Sequence, residues 1–240
     1  MNLVTDIGNS GTKLAIYDAK HLVAVFRYDE LSEKTLSDLL ATNKIRRAII
    51  SSVKEIPQFL TVILEQKVDY LHILSYKSRL PFSIEYETPD TLGPDRIAAI
   101  AGAYIAFKGS DILVIDAGTA ITFDFLFGTQ YAGGNISPGI DMRFRALNLM
   151  TGRLPLVSRG ENFSFPARKT SDAILAGVMT GVIYEINEYI RTFVKKHKNL
   201  KIIITGGDGG YLKDKISSRA MYMPDILIDG LNFILEYNAK

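Results

Sequence analysis

The stretch that decides the fold is residues 3–17, LVTDIGNSGTKLAIY. Runs of β-branched and apolar residues at 3–7 and 13–17 flank the segment Gly8-Asn9-Ser10-Gly11, and a third run follows at 21–28. Gly, Asn and Ser between two such runs are typical of a hairpin turn. The pattern therefore predicts an antiparallel meander of three short strands at the start of the chain.

The same pattern returns in the second half of the chain. Asp6-Ile7-Gly8-Asn9 corresponds to Asp116-Ala117-Gly118-Thr119, 110 residues further on, and strands are again predicted at 111–117, 121–127 and 131–136. Similarity at this distance indicates an internal duplication. We therefore expect two halves, residues 1–109 and 110–240.

Helical patterns follow each meander. Apolar residues at helical spacing predict helices at 31–41, 57–65, 94–109, 171–198 and 226–237, and further strands are predicted at 48–53 and 201–205. Residues 76–92 predict a loop with short extended pieces. Alternation of strands and helices is typical of an α/β fold in which helices cover the faces of a sheet.

Composition excludes several classes of function. The 240 residues include no cysteine, which excludes disulfides, thiolate metal sites and a cysteine nucleophile. The formal net charge of +2 gives no basis for a nucleic-acid or membrane-surface partner. No secretory-signal pattern opens the chain and no apolar run reaches the roughly 20 residues of a membrane span. We expect a cytoplasmic protein.

Three glycine-containing segments could bind a nucleotide. In residues 6–13, backbone N–H groups could approach a phosphate and the carboxylate of Asp6 could hold Mg²⁺. A plain hairpin turn uses the same residues, and such short motifs are common by chance. The repeat at Asp116 favours nucleotide binding, because equivalent turns of a duplicated fold would face each other across a cleft. Residues 205–210, TGGDGG, could lie against a base or ribose or form a flexible loop.

The three segments together resemble the two phosphate motifs and the adenosine motif of the acetate and sugar kinase, Hsp70 and actin superfamily. Within it, the chain resembles the type III pantothenate kinases. Gly93-Pro94-Asp95-Arg96 is similar to the Gly-x-Asp-Arg signature of that family, although Pro94 replaces a small or aliphatic residue. The remaining matches are Tyr86, the segment GGNISPG at 133–139, and Thr170 before Ala173 and Gly177.

This resemblance implies a fold, an activity and a set of site residues. The fold would be α/β, with two duplicated ribonuclease H-like (actin-like ATPase) halves and a nucleotide cleft between them. The activity would be transfer of the γ-phosphoryl group of ATP to the 4′-hydroxyl of pantothenate, the first step of coenzyme A biosynthesis. The enzyme would be a homodimer that requires Mg²⁺ and a monovalent cation, K⁺ or NH₄⁺.

The resemblance also assigns residues to roles. ATP phosphates and Mg²⁺ would be bound by Asp6, Ile7, Gly8, Asn9, Ser10, Gly11, Thr12 and Lys13, and ATP also by Thr119, Gly206 and Gly207. Asp116 would hold the monovalent cation. Pantothenate would be bound by Tyr86, Gly93, Pro94, Asp95, Arg96 and Thr170, with Asp95 as the catalytic base.

The chemistry of Asp95 and Arg96 suits these roles. The first turn of a helix favours an ionised carboxylate. Such a carboxylate is a weak base, but phosphoryl transfer has a loose transition state in which orientation matters more than basicity. The guanidinium of Arg96 suits the carboxylate of pantothenate. Without the other motifs, a helix-capping Asp–Arg pair would explain the same residues.

Other functions are compatible with a fold of this kind. The chain could be a kinase of the same superfamily acting on another hydroxylated acceptor, a phosphatase using the same cleft, or a nucleotide-gated regulatory protein without metabolite turnover. An intact Gly-x-Asp-Arg segment beside an intact phosphate motif favours the pantothenate kinase. Tyr184, Tyr189 and Phe193 belong to an apolar stripe on a long predicted helix, which indicates core or a subunit interface.

Overall fold

The computed structural model describes residues 1–239. It contains two compact units. The first consists of residues 1–109, 126–133 and the chain from 225 onward, and the second of residues 110–125 and 134–224. One boundary between the units falls after residue 109, and the last helix and the tip of one hairpin are grouped with the first unit.

The first unit is built on a five-stranded sheet of order β3-β2-β1-β4-β5. Its strands are β1 (Asn2–Gly8), β2 (Gly11–Asp18), β3 (His21–Tyr28), β4 (Arg47–Ser52) and β5 (Tyr70–Ile73). β1 pairs antiparallel with β2, and β2 with β3, which confirms the predicted meander. β4 pairs parallel with β1 and with β5, as expected for strands connected through helices.

Two helices and a leucine-rich core cover one face of this sheet. α1 (Glu33–Thr42) begins after Ser32, whose hydroxyl accepts a hydrogen bond from the backbone N–H of Thr35 at 3.1 Å. This cap places the start of the helix two residues later than the predicted residue 31. α2 is Gln58–Lys67. The side chains of both helices that reach the sheet include Leu36, Leu60 and Leu64, all fully buried.

α3 (Pro94–Ala106) and α7 (Ile226–Asn238) pack against each other, and α7 packs on β1 and β4. Glycines allow the two helices to touch through their backbones. A Cβ at Gly102 would collide with the carbonyl oxygen of Ile226, and one at Gly230 with the carbonyl oxygen of Ala98. This close crossing positions the N-terminus of α3, which carries the Gly93–Arg96 segment.

Buried polar side chains attach α7 to the strands. The amide of Asn2 donates to Asn232 at 2.8 Å and to Glu236 at 2.7 Å, and the hydroxyl of Tyr17 donates to Asp229 at 2.7 Å. Because the hydrogen-bonding capacity of buried polar groups is costly to leave unsatisfied, these pairs specify how α7 lies on the strands.

The second sheet has the order β11-β10-β7-β8-β9-β6. Its strands are β6 (Ser83–Ile84), β7 (Ile112–Ala117), β8 (Ala120–Phe127), β9 (Gln130–Pro138), β10 (Lys201–Thr205) and β11 (Ala220–Tyr222). The strands predicted at 111–117, 121–127, 131–136 and 201–205 are all present.

The helices of the second unit are α4 (Ile140–Leu149), α5 (Thr170–Lys196) and the single turn α6 (Gly209–Leu212). The rings of Tyr189 and Phe193 on α5 contact Phe123 and Phe125 of β8, with centroid distances of 3.9 and 4.0 Å. The predicted apolar stripe therefore packs against β8 at these half-buried positions, whereas Tyr184 is exposed. Within residues 1–239, no helix combines the length and apolar character needed to cross a membrane.

Candidate active site

The first predicted phosphate motif, residues 6–13, includes the turn of the β1–β2 hairpin in the first unit. Asp6 and Lys13 are cross-strand partners, and Asn9 and Ser10 are exposed at the turn. Gly11 has φ +148°, and a Cβ there would lie 2.5 Å from the carbonyl oxygen of Tyr28. The ammonium of Lys54, just after β4, donates to the carbonyl oxygen of Asn9 at 2.8 Å. The turn is thus exposed, and Lys13 and Lys54 provide basic side chains beside it.

Asp6 has an unusual electrostatic environment. It lies opposite Ser51 in the parallel β1–β4 pair, and the Ser51 hydroxyl donates to Asp6 Oδ1 at 3.0 Å. Burial, together with the nearby carboxylate of Asp95, raises the pKa of Asp6 to about 6 against the opposing effects of Ser51 and Lys13. A carboxylate held in this state is a candidate ligand for a cation, because a cation would remove the cost of its charge.

Asp95 occupies the first turn of α3. Gly93 is the N-cap residue and Pro94 follows it, so the helix starts without a side-chain cap from the N-cap position. Asp95 Oδ1 instead accepts a hydrogen bond from the backbone N–H of Arg96 at 2.8 Å. The carboxylate folds back over Gly93, where a Cβ would collide with Oδ1. Gly93 is therefore needed for this orientation of Asp95.

Tyr86 and Arg96 lie together beside the Gly-Gly segment. Arg96 is buried, and its guanidinium carbon lies 5.8 Å from the centroid of the Tyr86 ring. The same ring stacks with Tyr131 at a centroid distance of 6.4 Å and lies beside Gly133, which has φ +93° and whose Cβ would lie 3.4 Å from Tyr86. Asp6, Tyr86, Asp95 and Arg96 thus all belong to the first unit, whereas Thr170 is the exposed first residue of α5 in the second unit.

The second unit brings together Asp116, Thr119 and Gly206. Asp116 is near the end of β7, and Thr119 lies in the following turn, where its carbonyl oxygen accepts from the N–H of Gly139 at 3.0 Å. Gly206 has φ +86°, and a Cβ there would collide with Asp116 Oδ1 and the carbonyl oxygen of Ala117. By contrast, the position of a Cβ on the exposed Gly207 is open.

Two contacts of these segments were not indicated by the sequence. The Ser51 hydroxyl reaches Asp6 because β4 pairs with β1. Arg159 binds the buried carboxylate of Asp208, which lies between the two glycine pairs of residues 205–210. Neither residue stands in a motif, so only the folded chain reveals these contacts. Burial of Asp208 could not be inferred from a glycine-rich segment.

Solved structures with a similar fold extend over almost the whole chain. A Sinorhizobium meliloti protein described as a 2-dehydro-3-deoxygalactonokinase has a TM-score of 0.60 at 15% identity, covering 100% of this chain and 98% of its own. A Campylobacter jejuni protein described as a Baf family transcriptional activator has a TM-score of 0.59 at 25% identity, covering 99% and 98%. The fold, with its two sheets and repeated Asp-x-Gly turns, is that of the sugar kinases and actin-like ATPases.

Sequence comparison narrows this class to one family. The family model for type III pantothenate kinase matches residues 2–192. A type III pantothenate kinase from Phocaeicola vulgatus is 41% identical over 241 residues, covering 100% of both chains. The chain belongs to the type III pantothenate kinase family.

Proposed function

We propose that the chain phosphorylates the 4′-hydroxyl of pantothenate with ATP by using Asp95 as the base beside the phosphate motif at Asp6. Family membership makes it a pantothenate kinase of coenzyme A biosynthesis. The observation that carries the assignment of roles is the electrostatic effect of Asp95 on Asp6. This effect supports a base close to the proposed phosphate and metal site, as a direct transfer between two substrates requires.

On the acceptor side, Asp95 would accept the proton of the pantothenate hydroxyl. The bond from the Arg96 N–H holds Oδ1, so the carboxylate is oriented before the substrate binds. The buried guanidinium of Arg96 is suited to the pantothenate carboxylate, and Tyr86 and Gly93 would complete the pocket. We assign Thr170 a hydroxyl contact with the same substrate.

On the nucleotide side, residues 6–13 would bind the phosphates of ATP through backbone N–H groups, hydroxyls and the Lys13 ammonium. No cluster of three or more acidic or His side chains that could hold a metal is present within residues 1–239. Mg²⁺ commonly uses one or two carboxylates together with phosphate oxygens and water, so Asp6 alone fits this role. When bound, Mg²⁺ would neutralise negative charge on the phosphates.

We assign the remaining nucleotide contacts to the second unit. Thr119 would bind ATP, and the adenosine would lie along Gly206 and Gly207, where the open position beside Gly207 leaves backbone accessible. Asp116 would hold K⁺ or NH₄⁺. Its carboxylate faces Gly206, whose lack of a side chain leaves oxygen atoms of Asp116 and Ala117 close together, a donor set suited to a monovalent cation.

We further propose that the enzyme works as a homodimer in the cytoplasm, without a nucleic-acid or membrane partner. Large apolar side chains are exposed in the second unit between residues 136 and 184, most strongly Met150 at 84% and Leu149 at 77%. Exposed apolar side chains in such numbers are typical of an association surface. The near-neutral net charge of +2 supports the absence of a nucleic-acid partner.

The test is ADP release by the purified protein with ATP and Mg²⁺, supplied with pantothenate, with common sugars or with no acceptor, each with and without K⁺. Among these acceptors, we expect only pantothenate to stimulate ADP release, and we expect K⁺ to increase that rate further. If ADP release with pantothenate were no faster than with ATP only, pantothenate would be excluded as the substrate and a regulatory role would remain. That alternative has one observation in its favour, the described transcriptional role of the Campylobacter jejuni protein.

A further inference from the structure

Arg159 lies in the long segment between α4 and α5 and joins two parts of the second unit. Both terminal nitrogens of its guanidinium donate to the carboxylate of Asp208, Nη2 to Oδ2 at 3.2 Å, and Nε donates to Asp141 Oδ1 at 2.5 Å. Asp208 belongs to the glycine segment after β10, and Asp141 to the first turn of α4.

Asp208, the partner of Arg159 that follows β10, carries a buried charge. The side chain of Asp208 is only 9% exposed, whereas those of Arg159 and Asp141 are 38% and 61% exposed. A buried carboxylate is strongly destabilised when its cationic partner is removed, because neither water nor another charge replaces the lost contact. Arg159 therefore determines whether Asp208, the residue after Gly207, can stay buried. The planar fork of arginine suits this two-point contact, which lysine cannot reproduce.

The partner on the α4 side is tied to the second phosphate motif. Asp141 follows Gly139, whose N–H donates to the carbonyl oxygen of Thr119 and whose lack of a Cβ lets it pack directly on that turn. The backbone of Asp208 itself donates to the carbonyl oxygen of Ala117 at 2.8 Å. One arginine thus fixes the glycine segment and the first turn of α4 around the turn that contains Thr119.

We propose that Arg159 is a positioning residue for ATP, one that holds the glycine segment in the conformation that accepts the adenosine. This inference rests on the proposed nucleotide contacts of Thr119, Gly206 and Gly207. It assigns Arg159 no contact with either substrate. Its removal should therefore weaken ATP binding selectively and leave the pantothenate contacts of Tyr86 and of residues 93–96 in the first unit unaffected.

The test compares Arg159→Met with the wild type in ATP affinity and in steady-state kinetics. We expect the Kd for a non-hydrolysable ATP analogue to rise about tenfold or more, as for loss of a buried charge pair, with the KM for pantothenate within about twofold. Arg159→Lys should fall between Arg159→Met and the wild type. The matched control is Glu161→Gln, which removes the exposed Lys215–Glu161 ion pair of the same segment and should leave both constants unchanged. Unchanged nucleotide affinity in Arg159→Met would overturn the proposal.

Because Arg159→Met leaves a buried charge unpaired, it could unfold the segment rather than misplace it. The double variant Arg159→Met/Asp208→Asn removes both charges, so we expect a Tm near that of the wild type together with weak binding of the analogue. Wild-type affinity in a double variant of normal Tm would overturn the positioning role.

Gly207→Ala distinguishes this inference from the assignment on which it rests. The position of a Cβ there is open in the protein itself, so only a bound nucleotide should be obstructed. If Gly207→Ala weakens ATP binding and Arg159→Met does not, only the role of Arg159 would be overturned. Normal ATP binding in Gly207→Ala would overturn the role of the glycine segment, and the positioning role with it.

Discussion

At the scale of single residues, the proposed chemistry depends on two carboxylates in different environments. Asp95 is oriented by a backbone N–H at a helix N-terminus, where partial positive charge favours its ionised form. Asp6 is placed where burial and the charge of Asp95 both oppose ionisation. In the proposed site, Asp95 would accept the proton of the acceptor hydroxyl and Asp6 would face the metal-bound phosphate.

Replacement of Asp95 separates catalysis from nucleotide binding. Asp95→Asn keeps the shape and can still accept from the Arg96 N–H, but it cannot take the hydroxyl proton. We expect turnover with pantothenate to fall by roughly 10² or more, with the affinity for ATP within a few-fold of wild type. The measurement is ADP release together with equilibrium binding of an ATP analogue. Asp90→Asn, an exposed carboxylate in the preceding turn, is the control and should keep full activity.

The raised pKa of Asp6 predicts a stability that depends on pH. In the folded protein the carboxyl of Asp6 keeps its proton up to about pH 6, whereas in the unfolded chain its pKa has the ordinary value of 3.8. The wild type therefore loses stability as the pH rises from 3.8 to about 6. Asp6→Asn keeps the acceptor for Ser51 and removes the charge. We expect it to be more stable than the wild type by about 1–3 kcal/mol at pH 8, with a smaller difference at pH 5. Urea unfolding at both pH values measures this, and a pH-independent difference would contradict it.

The sequence predicts which residues of the site carry chemistry but not how they are coupled. Asp6 and Asp95 stand in separate motifs, and each motif indicates its own role. The contact of Ser51 with Asp6 depends on the register of β4 against β1, and that of Arg159 with Asp208 depends on the course of a long segment. Register and loop course follow from the packing of the whole chain, so spacing along the sequence does not reveal them.

At the scale of elements, the crossing of α3 and α7 supports the site. Because backbone meets backbone at Gly102 and Gly230, a single methyl group must push the helices apart. Asp95 lies in the first turn of α3, so a shift of this helix would move the proposed catalytic carboxylate. We therefore expect the geometry around Asp95 to depend on Gly102, further along the same helix, and on Gly230, near the other end of the chain.

Gly102→Ala tests this dependence. We expect a loss of about 1–3 kcal/mol in the free energy of unfolding, as for overpacking of a tight contact, and a lower turnover number in the fraction that remains folded. Gly181→Ala in α5 is the matched control, because a Cβ there meets nothing within 4 Å and alanine favours a helix by roughly 0.5–1 kcal/mol. Unfolding in urea and ADP release measure the two effects. Equal behaviour of the two variants would show that the crossing has room for a side chain.

Long elements could be predicted from the sequence, whereas short edge elements could not. The meander strands, β10 and α7 agree with their predictions within about two residues. The pattern missed β5 and β11, which have four and three residues and lie at the edges of their sheets. Segments this short have too few residues to establish a period, and they are strands because a neighbouring strand offers hydrogen bonds, as β4 does to Tyr70–Ile73.

At the scale of the whole molecule, the duplication and the compact units are different divisions of the chain. The repeat of Asp6-Ile7-Gly8 at Asp116-Ala117-Gly118 divides the sequence after residue 109. Packing groups α7, at the end of the chain, with the first unit, because its side chains bind Asn2 and Tyr17 and its glycine meets α3. Contacts of this kind act between residues far apart in the chain, and a repeat in the sequence does not predict them.

The exposed apolar side chains of the second unit lead to a prediction about assembly. Leu149 and Met150 end α4, and their exposure would be costly in a monomer. Lysine at both positions suits a helix C-terminus and should not disturb folding. We therefore expect Leu149→Lys/Met150→Lys to keep its Tm and to sediment as a 26.6 kDa monomer, while the wild type sediments as a dimer.

The control for this experiment is Val62→Lys, which replaces an exposed valine on α2 in the first unit and should leave the dimer intact. Sedimentation velocity at micromolar concentration separates the species, since the two states differ twofold in mass. A dimer that survives the double substitution would place the interface elsewhere on the chain. A wild type that sediments as a monomer would remove the homodimer from the proposed function, and the apolar side chains near Met150 would then need another partner.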